Sequence, residues 1–436
     1  MTELQLGLAV LVITLFVLFS GLPIAWGLIL VSVGFLVSIK GVASLANIPL
    51  VMIDELASFA LLTIPLFILL GSAVGTTNAG RDIYESLHRW LDRMPGGLVI
   101  ANILACGIFS GISGSSPATA AAIGKAGVPE MLRRGIPVRL ATGSVCAGGT
   151  LGILIPPSIT MILYGITTET SIGRLFLAGV VPGILLVLLF ALYAWLVSWR
   201  KEQRDPPELA VRYTLTQKFE GLGRVSPFIA VVIAIAYAMY GGIATPSEVA
   251  AISAAFAILL VVIIYKARDK ETHWKIFRET MRESTMILMI IAAAAVFSYM
   301  MSLLYITQTA AEWLVAMNLN RWVLMLAISI FLLVAGCFLP PVAIILMIMP
   351  ILTPVLEANN FDLIWFAVIL TINMEIGLIT PPVGLNLFVL KGVVPQVSIK
   401  DILYGSLPFV VIMMLFTVIL AIFPGIALWL PSMAMG

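Results

Sequence analysis

FSGISGSSPAT, residues 109–119, is a polar stretch inside an apolar region that runs from about 97 to 130. Its small residues allow close backbone approach, Gly114 permits dihedral angles that other residues avoid, and Pro117 suits the first turn of a helix. Each apolar arm is too short to cross a hydrocarbon core roughly 30 Å thick. The region is therefore predicted to be a re-entrant helical hairpin whose tip packs in protein or lines a watery cavity.

A second region, 322–357, is interrupted in the same way at Pro340-Pro341, and it is predicted to be a second re-entrant hairpin. Downstream of each hairpin the chain carries a similar break. GILIPP at 152–157 recurs as GLITPP at 377–382, an offset of 225 residues (152 to 377). Several matches in the same order indicate an internal repeat with two hairpins and two broken helices.

Composition places this repeat in a membrane. The chain has 436 residues, of which 61% are hydrophobic and 11% charged, whereas soluble domains carry about 25% charged residues. A net charge of +2 gives no indication of nucleic-acid binding. The sequence predicts an all-α integral membrane protein, with spans near 4–20, 23–40, 56–78, 138–165, 174–199, 225–241, 246–266, 284–304, 362–391 and 401–432.

The basic residues predict an orientation. If the basic linker 200–224 is cytoplasmic, only Lys40, Arg174 and Arg321 of the 24 Lys and Arg residues lie outside, as the positive-inside rule favours. Both termini are then periplasmic. The repeats 1–199 and 225–436 begin on opposite sides, which predicts an inverted-topology repeat with its site at the midplane. Segments 81–93 and 269–283 are predicted to be amphipathic helices on the cytoplasmic surface.

The breaks supply the chemistry of a candidate site. Backbone carbonyls and hydroxyls can hold a hard cation such as sodium, and a helix N-terminus can face a carboxylate. The alternative interpretations are a tight packing turn at 113–119 and simple proline kinks at the two later breaks. Glu375 lies in an apolar span, where it can accept a proton, contribute to a cation site or bond to a neighbouring helix.

The sequence lacks the motifs of several common activities. It contains no G-x-x-x-x-G-K-[ST], G-x-S-x-G or H-E-x-x-H pattern. Cys106, Cys146 and Cys337 have no metal-ligand spacing. The sequence therefore gives no indication that this chain binds ATP as an energy source, and it predicts a secondary transporter without a cofactor. A membrane-embedded enzyme and a passive channel are the alternatives from other classes.

FSGISGSSPAT at 109–119 and GLITPPVGLN at 377–386 closely resemble signature stretches of one transporter family. Pro156-Pro157-Ser158 and Ala244–Glu248 are also similar to it. The family is the large permease subunit of tripartite ATP-independent periplasmic (TRAP) transporters. The resemblance implies a bacterial inner-membrane protein with an elevator mechanism and sodium as the coupling ion. It also implies a small four-helix membrane subunit and a periplasmic substrate-binding protein as partners.

By this resemblance, one sodium ion is expected between the first tip and the first break, and a second between Pro340-Pro341 and the second break. The substrate is expected between the tips. The predicted substrate-binding residues are Ser115, Ser116, Pro117, Thr119, Pro340, Pro341 and Asn386. The predicted sodium ligands are Ser113, Gly114, Ser115, Gly149, Thr150, Gly152, Pro156, Glu375, Gly377, Thr380 and Gly384.

Two points are open in the sequence. Family members often carry a polar or acidic residue near the second tip, where this chain has Leu339-Pro340-Pro341-Val342, so backbone carbonyls or Thr380 are expected to contribute more there. The resemblance implies a small organic carboxylate as the substrate, with a C4-dicarboxylate as the default and sugar acids, keto acids and sialic acid as alternatives. A stand-alone sodium- or proton-coupled anion transporter is the alternative function.

Overall fold

The computed structural model describes residues 3–202, 213–317 and 319–435, and it contains helices and connecting turns but no strand in those ranges. Two 3₁₀ turns, Val42–Asn47 and Phe59–Leu62, flank the third helix. The α-helices are α1 Glu3–Phe19, α2 Ile24–Lys40, α3 Ile48–Leu56, α4 Thr63–Gly75, α5 Ala79–Trp90, α6 Gly97–Ser113, α7 Ser116–Arg133, α8 Val138–Leu154, α9 Ile159–Thr167, α10 Ile172–Glu202, α11 Leu215–Tyr240, α12 Pro246–Ile264, α13 Lys270–Leu303, α14 Ile306–Ala316, α15 Arg321–Gly336, α16 Pro341–Ala358, α17 Leu363–Leu378, α18 Leu385–Val393, α19 Ile399–Ile422 and α20 Gly425–Met435.

The inverted repeat is present in this architecture. Helices α6–α7 and α15–α16 form the two hairpins, and α8–α9 and α17–α18 are the two broken helices. Short helices α9 and α18 have nine residues each and begin 226 residues apart (159 to 385). The return helix of each hairpin packs against the short helix of the other repeat, α7 against α18 and α16 against α9. The two repeats are thus interlocked.

The helices fall into two groups by their contacts. The first group, here called the scaffold, contains α1–α4 and α11–α13, which pack mainly on one another. The second group, here called the core, contains the hairpins, the broken helices, α10, α19 and α20. Helix α5 packs on both the first hairpin and α11, and α14 packs on both α16 and α1. These two helices are therefore equivalent connectors between the groups.

The apolar helices account for a multi-pass membrane protein. Six helical segments of the described residues are long and apolar enough to cross a membrane when the broken helix α8–α9 is taken as one segment. The number is eight when each of two bent helix pairs is also counted as one span. The predicted spans 4–20 and 23–40 correspond to α1 and α2, which have 17 residues each. That length is at the lower limit for a span.

Three predicted segments have different bounds in the structure. The predicted span 401–432 is divided at Pro424, because proline disfavours continuation of a helix. The predicted surface helix 269–283 and span 284–304 form one continuous helix, α13, since no glycine or proline interrupts them. The predicted span 56–78 is shorter: α4 begins at Thr63, after a bend of 60° from the preceding helix.

The sequence analysis missed two helices and predicted a linker longer than the one between the helices on either side of it. The prediction missed α3 and α14. The linker was predicted over 200–224, but α10 continues to Glu202 and α11 begins at Leu215. Residues 203–212 of that prediction lie outside the described residues. Helix α11 therefore begins ten residues before residue 225, the predicted start of the second repeat (215 to 225).

The two repeats meet at backbone distance between α8 and α19. A Cβ atom added at Gly143 would fall on the Gly405 carbonyl, and one added at Gly405 would fall on the Arg139 carbonyl. Arg139 Nε also forms an ion pair with Asp401 Oδ1 at 3.1 Å. Helix pairs in membranes often associate through small residues that permit such close approach. Gly405 therefore has a packing role in the contact between the repeats.

Helix α5 lies outside the candidate spans and contains a buried histidine that responds to pH. His88 is 7% exposed, stacks on Tyr84 and meets Tyr213 edge to face. Burial, and then the charge of Arg134, lower the pKa of His88 to about 4. The pKa of histidine in an unfolded chain is about 6.5. The neutral ring's contribution to stability is therefore complete above about pH 6.5 and is lost as the pH falls toward about 4.

We predict that His88→Phe flattens this part of the stability curve. Phenylalanine keeps the ring contacts with Tyr84 and Tyr213 but binds no proton. The measurement is the thermal unfolding midpoint of the purified protein between pH 7.5 and 4.5. The variant is expected to lose less stability than the parent protein over this interval. Parallel curves for the two proteins would contradict a neutral, buried His88.

Candidate functional site

The first hairpin tip is a compact polar turn. Helix α6 ends at Ser113, Gly114 takes the left-handed conformation with φ of 60°, and α7 begins at Ser116. The hydroxyls of Ser113 and Thr119 lie 2.8 Å apart, and Thr119 Oγ1 donates to the Ser115 carbonyl at 2.9 Å. Hydroxyls and a carbonyl thus converge where one helix ends and the next begins.

The break between α8 and α9 lies directly against this tip. A Cβ atom added at Gly152 would lie 2.7 Å from the Ser115 carbonyl oxygen, and one at Gly149 would lie 2.8 Å from Ala120 Cβ. The Thr150 hydroxyl turns away, donating to the Ala147 carbonyl at 2.6 Å. The structure therefore brings Gly149 and Gly152 to the tip as predicted, whereas the Thr150 side chain does not contribute to it.

Pro156 contributes through its backbone. In both broken helices the Pro–Pro peptide bond is cis. A Cβ atom at Gly111 would lie 3.4 Å from the Pro156 carbonyl oxygen, and one at Gly114 would lie 2.8 Å from that of Pro157. The carbonyls of this break therefore face the first hairpin, as a site built from backbone oxygens requires.

The second break packs on the second tip with even closer backbone contact. A Cβ atom at Gly377 would fall on the Gly336 carbonyl. Thr380 Oγ1 lies 3.2 Å from Cys337 Sγ, and the Val383 N–H donates to the Cys337 carbonyl at 3.2 Å. The sequence analysis gave Cys337 no role in the site. Its position three residues before Pro340 could have indicated that it lies at the second tip.

Gly384 begins the short helix α18. It is the N-cap of that helix, with φ of 56° in the left-handed region, and a Cβ atom there would lie 3.0 Å from the Thr380 carbonyl oxygen. The backbone around Gly384, Gly377 and Thr380 thus forms one group beside the second tip, as predicted.

Glu375 bonds to a helix of the other repeat, which is one of the three roles that the sequence left open for it. Its carboxylate Oε2 accepts a hydrogen bond from the Ser116 hydroxyl at 3.1 Å, across 259 residues of sequence. Asn386 Nδ2 donates to the same Ser116 oxygen at 2.8 Å. Glu375 is 1% exposed, and Ser116 and Asn386 are fully buried. Its carboxylate therefore faces the first tip, not the second.

The surroundings of the Glu375 carboxylate leave part of its hydrogen-bonding capacity unused. Glu375 Oε1 and Asn386 Oδ1 are both buried and have no hydrogen-bond partner among the described residues. Ser116 and Asn386 lie in the first turns of α7 and α18, and a helix N-terminus contributes about 0.3–1 kcal/mol to a nearby anion. Burying an ion costs several kcal/mol. The two helix ends alone are too weak to stabilise an ionised Glu375.

The predicted substrate residues differ in exposure. Ser115, Pro117 and Pro340 are partly exposed. The buried ones are Ser116, Thr119, Pro341 and Asn386. A cavity of about 500 Å³, here called the tip cavity, reaches Ser113 and Ser115 and is bounded by α4, α7 and the charged part of α13. Only the exposed residues of the first tip are open to a small molecule in this conformation.

A second cavity of about 520 Å³, here called the basic cavity, adjoins the tip cavity at Gly75, Ala122 and Lys125. It has more cationic than anionic side chains on its wall. The cations are Arg81, Arg89, Lys125, Arg133, Arg134 and Lys275, and the anions are Glu85 and Glu130. A small anion at the first tip therefore has a positively charged surface nearby, to which the sequence analysis assigned no role.

Comparison with known proteins decides the family. Residues 11–426 match the model of the tripartite ATP-independent periplasmic transporter, DctM component. The chain belongs to the DctM family.

Relatives of this DctM-family chain include two C4-dicarboxylate TRAP transporter large permease proteins. The one from Pseudomonas aeruginosa is 36% identical over 389 residues, covering 89% of this chain and 90% of the relative. The one from Rhodobacter capsulatus is 32% identical, covering 95% and 96%. A sialic acid TRAP transporter large permease from Vibrio cholerae is 29% identical, covering 96% and 97%. Substrates therefore vary among relatives that share the whole chain length.

The DctM family consists of membrane permeases and not of enzymes, so this chain is a large permease subunit of a TRAP transporter. A tripartite system implies a small membrane subunit and a periplasmic binding protein besides it. Among solved structures, the Alcanivorax borkumensis YdaH transporter matches with a TM-score of 0.65 at 16% identity, covering 91% of each chain. Neisseria gonorrhoeae MtrF matches with a TM-score of 0.58 at 13% identity, covering 91% and 85%. These two matches concern the fold alone.

Proposed function

We propose that this permease subunit imports a small organic carboxylate, by default a C4-dicarboxylate, in symport with sodium. The observation that supports the proposal best is the contact of each hairpin tip with the backbone of a broken helix. Each contact gathers carbonyl and hydroxyl oxygens, the ligands that hard cations prefer. The C4-dicarboxylate relatives support the substrate class.

We propose two sodium sites at these contacts. The first uses oxygens of Ser113, Gly114 and Ser115 with the backbone at Gly149–Gly152 and Pro156. The second uses the backbone at Gly377 and Gly384 with the Thr380 hydroxyl, and the Cys337 carbonyl lies beside them. Sodium is a cargo ion here, and the proposal includes no resident cofactor.

The substrate is proposed to bind at the first tip beside Ser115 and Pro117, with Pro340 on the other side of the site. There the first turn of α7 favours a carboxylate. The substrate reaches the site from a periplasmic binding protein, and a small four-helix membrane subunit assembles with this chain. In the proposed orientation within the inner membrane, both termini are periplasmic, and the tip and basic cavities open toward the cytoplasm.

The proposed movement is an elevator, in which the core slides against the scaffold. Two observations support it. The scaffold helices pack mainly on one another, with direct contact to the core where α4 meets α6 and α13 meets α16. Helices α5 and α14 connect the two groups at equivalent positions in the two repeats. The tip cavity reaches the first tip from the end of α13 that carries Glu279 and Arg282. The conformation described here is accordingly proposed to be the inward-facing one.

The test of the function is uptake into proteoliposomes that contain this chain and its small subunit. A binding protein loaded with radiolabelled dicarboxylate is supplied with or without an inward sodium gradient. Uptake that needs both the gradient and the binding protein is expected. Uptake by the membrane subunits without the binding protein would instead favour a stand-alone anion transporter. Failure with a folded complex across a panel of carboxylates would contradict the proposal.

We predict that Ala118→Cys reports the elevator movement. Ala118 is exposed in the tip cavity, and the three native cysteines are all buried. A membrane-impermeant maleimide is expected to label the variant from the cytoplasmic side without sodium. Sodium with loaded binding protein is expected to lower that labelling rate and to raise labelling from the periplasmic side.

Val42→Cys is the matched control for this experiment. Val42 is 71% exposed and lies beside α2 of the scaffold, on the periplasmic side in the proposed orientation. Its labelling is expected from the periplasm alone, whatever the sodium concentration. Simultaneous labelling of Ala118→Cys from both sides under every condition would indicate a continuous pore and contradict the elevator.

A further inference from the structure

The carboxyl group of Glu375 lies where side chains of both repeats meet, and neither proposed sodium site uses it. Ser116 comes from the first turn of α7 in the first hairpin. Glu375 comes from the end of α17 and Asn386 from the start of α18 in the second broken helix. The Ser116 hydroxyl contacts both of the other side chains. The three groups therefore form one buried cluster between the repeats.

When Glu375 is ionised, each hydrogen bond of this cluster can be assigned one donor and one acceptor. The Ser116 hydroxyl has one proton, which it donates to Glu375 Oε2. Ser116 must then accept from the amide of Asn386, which leaves Asn386 Oδ1 directed elsewhere. Within this cluster, Glu375 Oε1 and Asn386 Oδ1 have no hydrogen-bond partner among the described residues. Both belong to groups that contact the same serine oxygen.

The chemistry of these oxygens selects the ligand. A carboxylate, an amide oxygen and a hydroxyl oxygen are hard donors, which suit a hard cation. An anion is excluded, because the cluster presents a negative charge and acceptor atoms. A water molecule would satisfy hydrogen bonds but would leave the charge of Glu375 uncompensated. A divalent cation would leave an excess positive charge beside a single carboxylate. A monovalent cation fits both the atoms and the charge.

We propose that Glu375, Asn386 and Ser116 form a third sodium site, separate from the two sites at the tips. This proposal rests on the sodium coupling proposed above and extends it. Because its ligands come from both repeats, the ion joins the first hairpin to the second broken helix. It also neutralises the carboxylate behind Ser115, so that an anionic substrate can bind at the tip without facing an uncompensated negative charge.

Glu375→Gln tests the site, because glutamine has nearly the same shape but carries no charge. The measurement is the sodium-to-substrate stoichiometry in proteoliposomes of the complete transporter. It is obtained from the steady-state substrate accumulation ratio as a function of the sodium gradient. The variant is expected to transport one sodium ion fewer per substrate. Glu375→Asp, which keeps the charge, is expected to retain the stoichiometry with weaker apparent sodium affinity.

Glu312→Gln is the control with the same chemical change. Glu312 is exposed on α14, and its variant is expected to keep the parent stoichiometry. An unchanged stoichiometry in Glu375→Gln would overturn the third site. A shift in the pH dependence of that variant at unchanged stoichiometry would likewise overturn it, and would show that Glu375 binds a proton instead.

If Glu375→Gln does not transport, binding of radioactive sodium to the folded, detergent-solubilised complex replaces the uptake assay. One site fewer than in the parent protein is expected, and an equal number would overturn the proposal. Measurements on the parent protein distinguish failure of the third site from failure of the proposed sodium coupling. Absence of any sodium dependence in the parent contradicts sodium coupling as a whole, whereas equal dependence in parent and variant contradicts only the third site.

Discussion

Gly152→Ala is expected to abolish sodium-driven uptake while the protein still folds. The added methyl group would lie 2.7 Å from the Ser115 carbonyl oxygen and 2.9 Å from the Ser116 amide nitrogen. Both are backbone atoms that no side-chain rotation can move, so the first tip must shift away from the broken helix. A loss of about 100-fold or more in the initial rate is expected, since misplacing a binding group by about 1 Å has effects of this size.

The control for this variant is Gly392→Ala in α18, which is the same chemical change within the core. No atom lies within 4 Å of a Cβ added at Gly392. Its uptake rate is expected to remain within about twofold of the parent, as for a surface change of at most about 0.5 kcal/mol. Normal sodium-driven uptake by Gly152→Ala would remove the first break from the proposed sodium site.

Gly405→Ala is expected to cause the largest loss of stability. The methyl group would fall on the Arg139 carbonyl, where α19 and α8 touch. Overpacking costs typically about 1–3 kcal/mol, and a clash between two backbones belongs at the upper end of that range or beyond it. The measurement is the thermal unfolding midpoint of the detergent-solubilised protein, together with the yield of monodisperse protein. Both are expected to fall.

Gly34→Ala in α2 provides the comparison, because a Cβ atom there meets nothing within 4 Å. Replacing a helical glycine by alanine at an open position is expected to gain about 0.5–1 kcal/mol. The two substitutions should therefore shift the unfolding midpoint in opposite directions. A midpoint for Gly405→Ala equal to that of the parent protein would contradict the close contact between α8 and α19.

The sequence analysis predicted the hairpins and broken helices because their causes are local. Gly114 and Pro117 interrupt an apolar run at the first tip, and Gly377 and Pro381 do so at the second break. The same pattern recurs at a constant offset, which makes each assignment support the other. These features needed no knowledge of which helices touch.

The predictions that failed concern helices and contacts that local patterns do not specify. Helix α14 contains Gln308, Thr309 and Glu312, so no apolar window of span length identifies it. Its counterpart in the first repeat is α5, which begins 227 residues earlier (79 to 306). The repeat could therefore have indicated a helix at this position. The sequence left the role of Glu375 open, because its proximity to Thr380 in the chain does not identify its partner. Its actual partner, Ser116, is 259 residues away and is brought near only by the folded core.

The interlocking of the repeats also bears on how such a chain arose. Each hairpin uses a short helix of the other repeat, and α8 meets α19 through glycines whose backbones touch. A polypeptide with one repeat would leave these surfaces uncovered. It would have to pair with a second copy of itself inserted in the opposite direction across the bilayer. A gene duplication that fused two such oppositely inserted copies would fix their ratio at one to one, and each copy could then diverge. Glu375, which has no acidic counterpart at the equivalent position of the first repeat (Thr150, at an offset of 225), would be a product of that divergence.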